Sequence, residues 1–354
     1  MITENSTPKT QARAFSLFAF AGNLGIFIGP LVGGGLSKPA DQIPGLFGRS
    51  TFLKQYPYAL PTFVTGAFGV TAALVAFFFI KETLPPRKVG DAPSAPPMTT
   101  MELLKAPGVA MVLFIYGYVS LLGLAYTAIV PVFWFTPPSL GGFGFSPLLI
   151  SVFLAISGMS QAIWLLFAFP PLQHRWGTAG VMRVCSVLWP VLYCFAPITN
   201  TLLRLDARAG QSALLQAPPG DVVDVPALHI NSGWGVAFWV ITPTVQALGS
   251  SVSMAFTGSQ LALNEISPSP ASFGTLNALA LTLSSGIRAV APGAAASFYA
   301  FGARTQILNG YLVWTVMVLL AAGLVVLMRW MPAHGEGKVV GRGESDEEQR
   351  DEHS

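Results

Sequence analysis

The sequence predicts an all-α, multi-pass membrane protein, a bundle of about eight transmembrane helices, and three observations predict it. Eight apolar stretches each approach or exceed the roughly 20 mostly apolar residues that cross a bilayer. Charged residues are 10% of the chain against 52% hydrophobic, far below the roughly 25% with which a soluble domain wets its surface. Glycine and proline fall inside the apolar stretches, where bundled membrane helices tolerate them because neighbours re-satisfy the freed backbone groups.

The expected spans are residues 12–36, 59–80, 108–135, 147–169, 179–198, 235–263, 273–301 and 311–331. They divide the chain into a cytoplasmic N-terminal segment (1–11), a two-helix part (12–81), a polar, Pro-rich cytoplasmic linker (82–106), a six-helix part (107–333) and an acidic tail (334–354). Residues 37–57 are a Gly/Pro-rich loop whose Phe47, Phe52 and Tyr56 suit a membrane interface. Residues 199–233 are expected to form the longest interhelical loop, and the tail to be disordered. Trp134, Trp176, Trp234, Trp314 and Trp330 fall near span ends, as an interfacial belt requires. With the N-terminus in the cytoplasm, that side holds twelve Lys and Arg and the other six; the excess puts both termini inside.

Several classes of function are excluded. A net charge of +3 without a basic patch interleaved with aromatics does not suit nucleic acid. His174, His229, His334 and His353 have no ligand spacing, so neither a metal nor an enzyme constellation is expected. No P-loop is present, which excludes ATP-driven pumping, and no selectivity-filter sequence supports a channel. No cofactor is expected. Cys185 and Cys194 read as two buried small apolar residues without a disulfide.

The first span carries the most specific pattern: Ser16, then Gly25, Gly29-Pro30 and Gly33-Gly34. Gly25, Gly29 and Gly33 recur every four residues, so they share a helix face and allow another backbone to come close. Pro30 removes a backbone donor and bends the helix. The string resembles the antiporter motif G-x8-G-x3-GP-x2-GG in the fifth helix of major facilitator superfamily transporters, with Ser16 in place of the first glycine. Leu172 to Gly177 (LQHRWG) resembles that family's cytoplasmic loop motif, with His174 where an acid is expected, and the span at 273–301 reads as a worn copy of the first, Pro292 matching Pro30. The nearest subgroup in pattern is the drug–proton antiporters similar to tetracycline antiporters and zinc-induced facilitators.

The resemblance implies a chain that covers family helices five to twelve and is truncated before them. It also implies a small-molecule substrate held midway between two halves, coupling to protons, and a bilayer as the surrounding partner. Proton-coupled export of small organic molecules by alternating access is the expected function. The alternative is an inactive fragment or a membrane subunit that depends on a partner, because the four helices usually credited with coupling have no counterpart.

Polar groups inside apolar spans supply the candidate site, since each needs a partner or a wet cavity. Arg288 is the one charge deep within a span. Gln161 and Asn277 are the best uncharged cavity candidates, ahead of Gln246 and Gln260; Trp164 shares a face with Gln161, and Tyr116 and Tyr126 could line the same space. Asn264 and Glu265, just before Ser267-Pro268, read as a cap or gate.

Overall fold

The computed structural model describes residues 11–79, 99–215, 232–268 and 272–332, without the side chains of 11–16, 19 and 210–215. Nearly all of the expected N-terminal segment, most of the linker and the expected tail therefore lie outside the described residues. The rest is helical, with no strand among the described residues.

Helix α1 (Gln11–Gly35) contains Pro30 and leads into three short helices, Pro39–Gln42, Pro44–Phe47 and Thr51–Gln55. The third starts where Ser50 Oγ accepts from the Leu53 amide, satisfying an orphan donor of the first turn. Helix α2 (Ala59–Phe79) follows. A short helix, Thr100–Lys105, opens on a capping box: Thr99 Oγ1 accepts from the Glu102 amide and Glu102 Oε2 from the Thr99 amide. Helix α3 is Val109–Phe135.

Helix α4 (Pro147–Ile163), capped by Ser146, runs through a π turn (Trp164–Ala168) into α5 (Phe169–Leu215). The continuous apolar helical stretch is Pro147–Ala209, 63 residues. At 1.5 Å per residue that is about 95 Å, three times a hydrocarbon core of about 30 Å. The chain turns at Gly177, whose φ of 71° and ψ of 171° are non-helical and in a region open to glycine. Asn200, well past the turn, hydrogen-bonds the carbonyls of Pro138 and Gly142, which precede α4, so the two arms fold back on each other.

Helices α6 (Gly233–Gly249) and α7 (Met254–Glu265) are separated by a 3-10 turn, Ser250–Ser253. Then come α8 (Phe273–Thr305), with Pro292 inside, and α9 (Leu312–Leu327). Six stretches are long and apolar enough to cross a membrane, and Phe20–Gly35 is a shorter apolar helix. With the 63-residue stretch folded in two, every one of the eight expected spans is helical.

Three expectations are corrected. The loop expected at 199–233 is helix as far as Leu215: the charges of Arg204, Asp206 and Arg208 interrupt the hydropathy, but Leu202 and Leu203 still pack on the core and Asp206 is buried. Trp134 and Trp314 are not belt residues but are buried, at 3% and 2% exposure, while Trp176, Trp234 and Trp330 are exposed. Cys194, expected to be buried, is exposed, whereas Cys185 is buried, and neither is in a disulfide.

The core lies among α3 to α9. Helix α3 packs on α8 and α7, α5 on α9, α6 and α7, and α4 on α6. Helix α1 lies along α4, and small residues set that approach. A Cβ on Gly158 of α4 would stand 2.6 Å from the Phe27 backbone nitrogen of α1, and one on Gly34 would collide with the Ser151 side chain. Such closeness matters in a bilayer, where helices associate through van der Waals packing rather than water exclusion. Helix α2 is bare: its apolar window is 0% buried.

Candidate functional site

A cavity opens inside the bundle, with about 210 Å³ available to the centres of water-sized molecules. Its wall comes from the later part of α3, from α4, α5, α6 and α7, from Trp314 of α9 and from Ile26 of α1. The lining is mostly aromatic and aliphatic, and no lining side chain is charged. Tyr126 and Tyr193 lie with ring centroids 5.6 Å apart, and Trp314 is 6.2 Å from Tyr193 and 5.0 Å from Phe133. These are normal packing separations for aromatic pairs.

Two kinds of polar group face this space. One is a chain of hydrogen bonds: Tyr126 Oη donates to Gln246 Oε1 (3.3 Å), Gln246 Nε2 donates to Ser157 Oγ (2.6 Å), and Ser157 Oγ donates to the Phe153 carbonyl (2.9 Å). The other is the Gln161 side chain. Tyr193, Thr242, Ser253 and Trp314 also belong to the wall, but Tyr193 Oη, Thr242 Oγ1, Ser253 Oγ and Trp314 Nε1 are buried without a partner and have almost no accessible surface.

The predicted residues fall into separate places. Gln161 and Tyr126 line the cavity. Trp164 stands behind it and donates from Nε1 to the Ala247 carbonyl (3.0 Å). Tyr116 is buried in the core without lining the cavity. Asn277 donates to Asn264 Oδ1 (3.4 Å) and to the Phe273 carbonyl (3.0 Å), so two candidates meet near the α7–α8 junction. Glu265 Oε1 accepts from Thr178 Oγ1 (2.9 Å), tying the end of α7 to the residue after the Gly177 turn. Arg288 is apart from all of these. It is exposed near the middle of α8, beside Ser284 and Ser285 in a shallow depression.

Within the α1 motif, Gly34 is buried against α4, whereas a Cβ at Gly25, Gly29 or Gly33 would meet nothing within 4 Å. Pro30 lies inside the helix, and the Ser16 side chain is outside the described residues.

Sequence reasoning ranked Gln246 below Gln161 and overlooked Ser157, Thr242, Ser253 and Tyr193. Gln246 carried the same signal as Gln161, an amide inside an apolar run. The hydroxyls gave none, because Ser and Thr in a membrane helix ordinarily bond their own backbone, as Thr244 does to Val240. A second network was also missed at the opposite end from Glu265. Asn200 bonds the 138–142 loop, Arg204 Nε donates to the Pro138 carbonyl (2.9 Å), and Tyr311 Oη donates to Asn200 Oδ1 (2.5 Å).

No sequence profile of a known family matches the chain, and no solved structure matches it. Individual proteins do. "Efflux pump azaK" of Aspergillus niger is 42% identical over 340 residues, covering 95% of this chain and 64% of that protein. "Major facilitator-type transporter psiT2" of Psilocybe cubensis is 23% identical over 358 residues, 91% of this chain and 65% of that one. "Protein ZINC INDUCED FACILITATOR 1" of Arabidopsis thaliana is 27% identical over 201 residues, half of this chain and 41% of that protein. The chain is similar to transporters named for the major facilitator superfamily. Its six long apolar helical stretches make it an integral, multi-pass membrane protein. It spans under two thirds of the length of these relatives.

Proposed function

We propose that the chain belongs to the major facilitator superfamily and serves secondary active transport, exporting small organic molecules by alternating access in exchange for protons, with both termini in the cytoplasm. The observation that carries this reading is the largely aromatic cavity, whose wall includes the polar side chains of Tyr126, Ser157, Gln161 and Gln246. A mostly apolar pocket with a few convergent polar groups is the usual form of a small-molecule site. Relatives named as an efflux pump and a multidrug transporter support the export direction. The test is flux: the full chain in liposomes with an imposed pH gradient should release a preloaded neutral aromatic dye faster than empty liposomes, and collapse of the gradient should remove the difference. No flux above the empty liposomes overturns the reading.

A second reading has its own support. Helix α2 is uncovered, the glycine face of α1 is open, and α8 carries an exposed Arg288 at mid-span. A charge at that depth costs several kcal/mol against lipid, about 3 on insertion scales. These faces fit a membrane subunit completed by further helices. Flux that arises only when additional membrane segments are supplied separates this reading from the first.

A further inference from the structure

We infer that the bare face of α8 docks a transmembrane helix that this sequence does not contain, and that this helix carries a carboxylate at mid-depth to pair with Arg288. The inference rests on the reading of the chain as a membrane subunit and names the chemistry of what completes it. Arg288 stands near the middle of a 33-residue helix, about 20 Å or more from either end at 1.5 Å per residue. It is exposed, with no hydrogen bond or ion pair among the described residues. Leu283 and Ile287 mark the packed side of α8, since a Cβ on Gly117 of α3 would stand 2.8 Å from Leu283 Cδ2 and 3.6 Å from Ile287 Cδ1. Leu281, Ser285 and Arg288 lie on the other side of the helix and are all exposed.

The patch is built to donate. Thr282 Oγ1 bonds back to the Ala278 carbonyl (2.8 Å), whereas the hydroxyls of Ser284 and Ser285, one turn before Arg288, have no partner among the described residues. A guanidinium and two open hydroxyls therefore share one depression, donors suited to both oxygens of a carboxylate. Every residue lining that depression belongs to α8, so its second wall comes from elsewhere. Ser285, Ala289 and Gly293 are exposed at a spacing of four, and a Cβ on Gly293 would meet nothing within 4 Å. Small residues at that spacing let a second helix come close in a bilayer.

Charge decides the occupant. An arginine facing lipid at that depth is strongly disfavoured, and headgroups lie about 15 Å away, at the surface of a hydrocarbon core of about 30 Å. A second copy does not fit. Packing α8 on α8 would set Arg288 near its own like charge, and none of the sixteen Asp and Glu lies within any of the eight apolar stretches. The carboxylate therefore comes from a helix outside this sequence.

The test uses the purified full chain, donor-labelled at its N-terminus, in phosphatidylcholine vesicles at pH 8. The probes are three acceptor-labelled Leu/Ala transmembrane peptides of about 20 residues. They differ only in a central glutamate, glutamine or lysine, with glycine four residues to either side. Energy transfer should show the glutamate peptide associating about tenfold more strongly than the glutamine peptide, with the lysine peptide weakest. Arg288→Lys should keep that order, Arg288→Leu should erase it, and Arg288→Glu should invert it in favour of lysine. A merely structural Arg288 would not invert the order.

Association of no peptide, equal association of all three, or a glutamate preference that survives Arg288→Leu would each overturn the inference. So would transfer between donor- and acceptor-labelled copies of the chain that is lost in Arg288→Leu, since a second copy would then cover the face. Flux is read separately. Flux from the chain alone removes the subunit reading and leaves the charge pair to be judged by the peptides, whereas charge-blind association removes the pair and leaves that reading standing.

Discussion

Both ends of the Gln246 amide are used, Oε1 by Tyr126 and Nε2 by Ser157, so one residue of α6 ties α3 to α4 across the cavity wall. Interhelical hydrogen bonds in bilayers contribute modestly, about 0.5–2 kcal/mol, because the unfolded helices also find partners. Gln246→Leu should therefore lower stability to detergent unfolding by about that amount, and a variant of unchanged stability would show that the bridge contributes nothing. Tyr126 and Gln161 were legible in the sequence, since a polar group in an apolar run has few places to go. Trp314 was not. An aromatic near a span end reads as a belt residue, and only the packing of α5 and α3 against α9 turns it inward.

At the scale of the element, the α1–α4 contact depends on what glycine lacks. Gly158→Leu would drive a side chain into the α1 backbone, whereas Gly29→Leu would meet open space. Gly158→Leu should therefore lower the temperature at which the protein unfolds in detergent, and Gly29→Leu should leave that temperature unchanged. The sequence displayed Gly34 of α1 but not its partner, Ser151 of α4, which lies more than a hundred residues away. The same holds for residues 199–215: their helix is secured by Asn200 on the 138–142 loop and Asp206 on Ser232, contacts no local pattern announces.

The capping box before α3 gives a pH signature. Glu102 is held below the ordinary carboxylate range, mainly by accepting the Thr99 amide and then by the Thr99 hydroxyl. A lowered pKa in the folded state means that this support is present above the ordinary Glu range. It is lost as pH falls through the lowered value. The protection of the 99–105 amides, relative to their intrinsic exchange rates, should fall in acid, and Glu102→Gln should remove that pH dependence.

For the molecule as a whole, the fold class was legible because low charge and eight apolar runs leave few alternatives. Which faces are covered was not, since a lipid-facing and a protein-facing leucine look alike in sequence. Gly29→Leu is expected to insert normally and to lose flux, because its open face is where other helices would approach. Arg288→Leu should likewise abolish flux. If it instead stabilises the protein with flux unchanged, the arginine faces lipid rather than a transport path.

Helix α2 differs from the other long helices. With no residue of its apolar window covered, nothing in the bundle dictates which end of it leads across the bilayer. That choice falls to the chain beside it, above all to Lys54 on one flank and Lys81 on the other. It is made while the segment is being inserted rather than when the bundle packs. Moving one positive charge from one flank to the other should therefore disturb the topology of α2 more than any substitution within it.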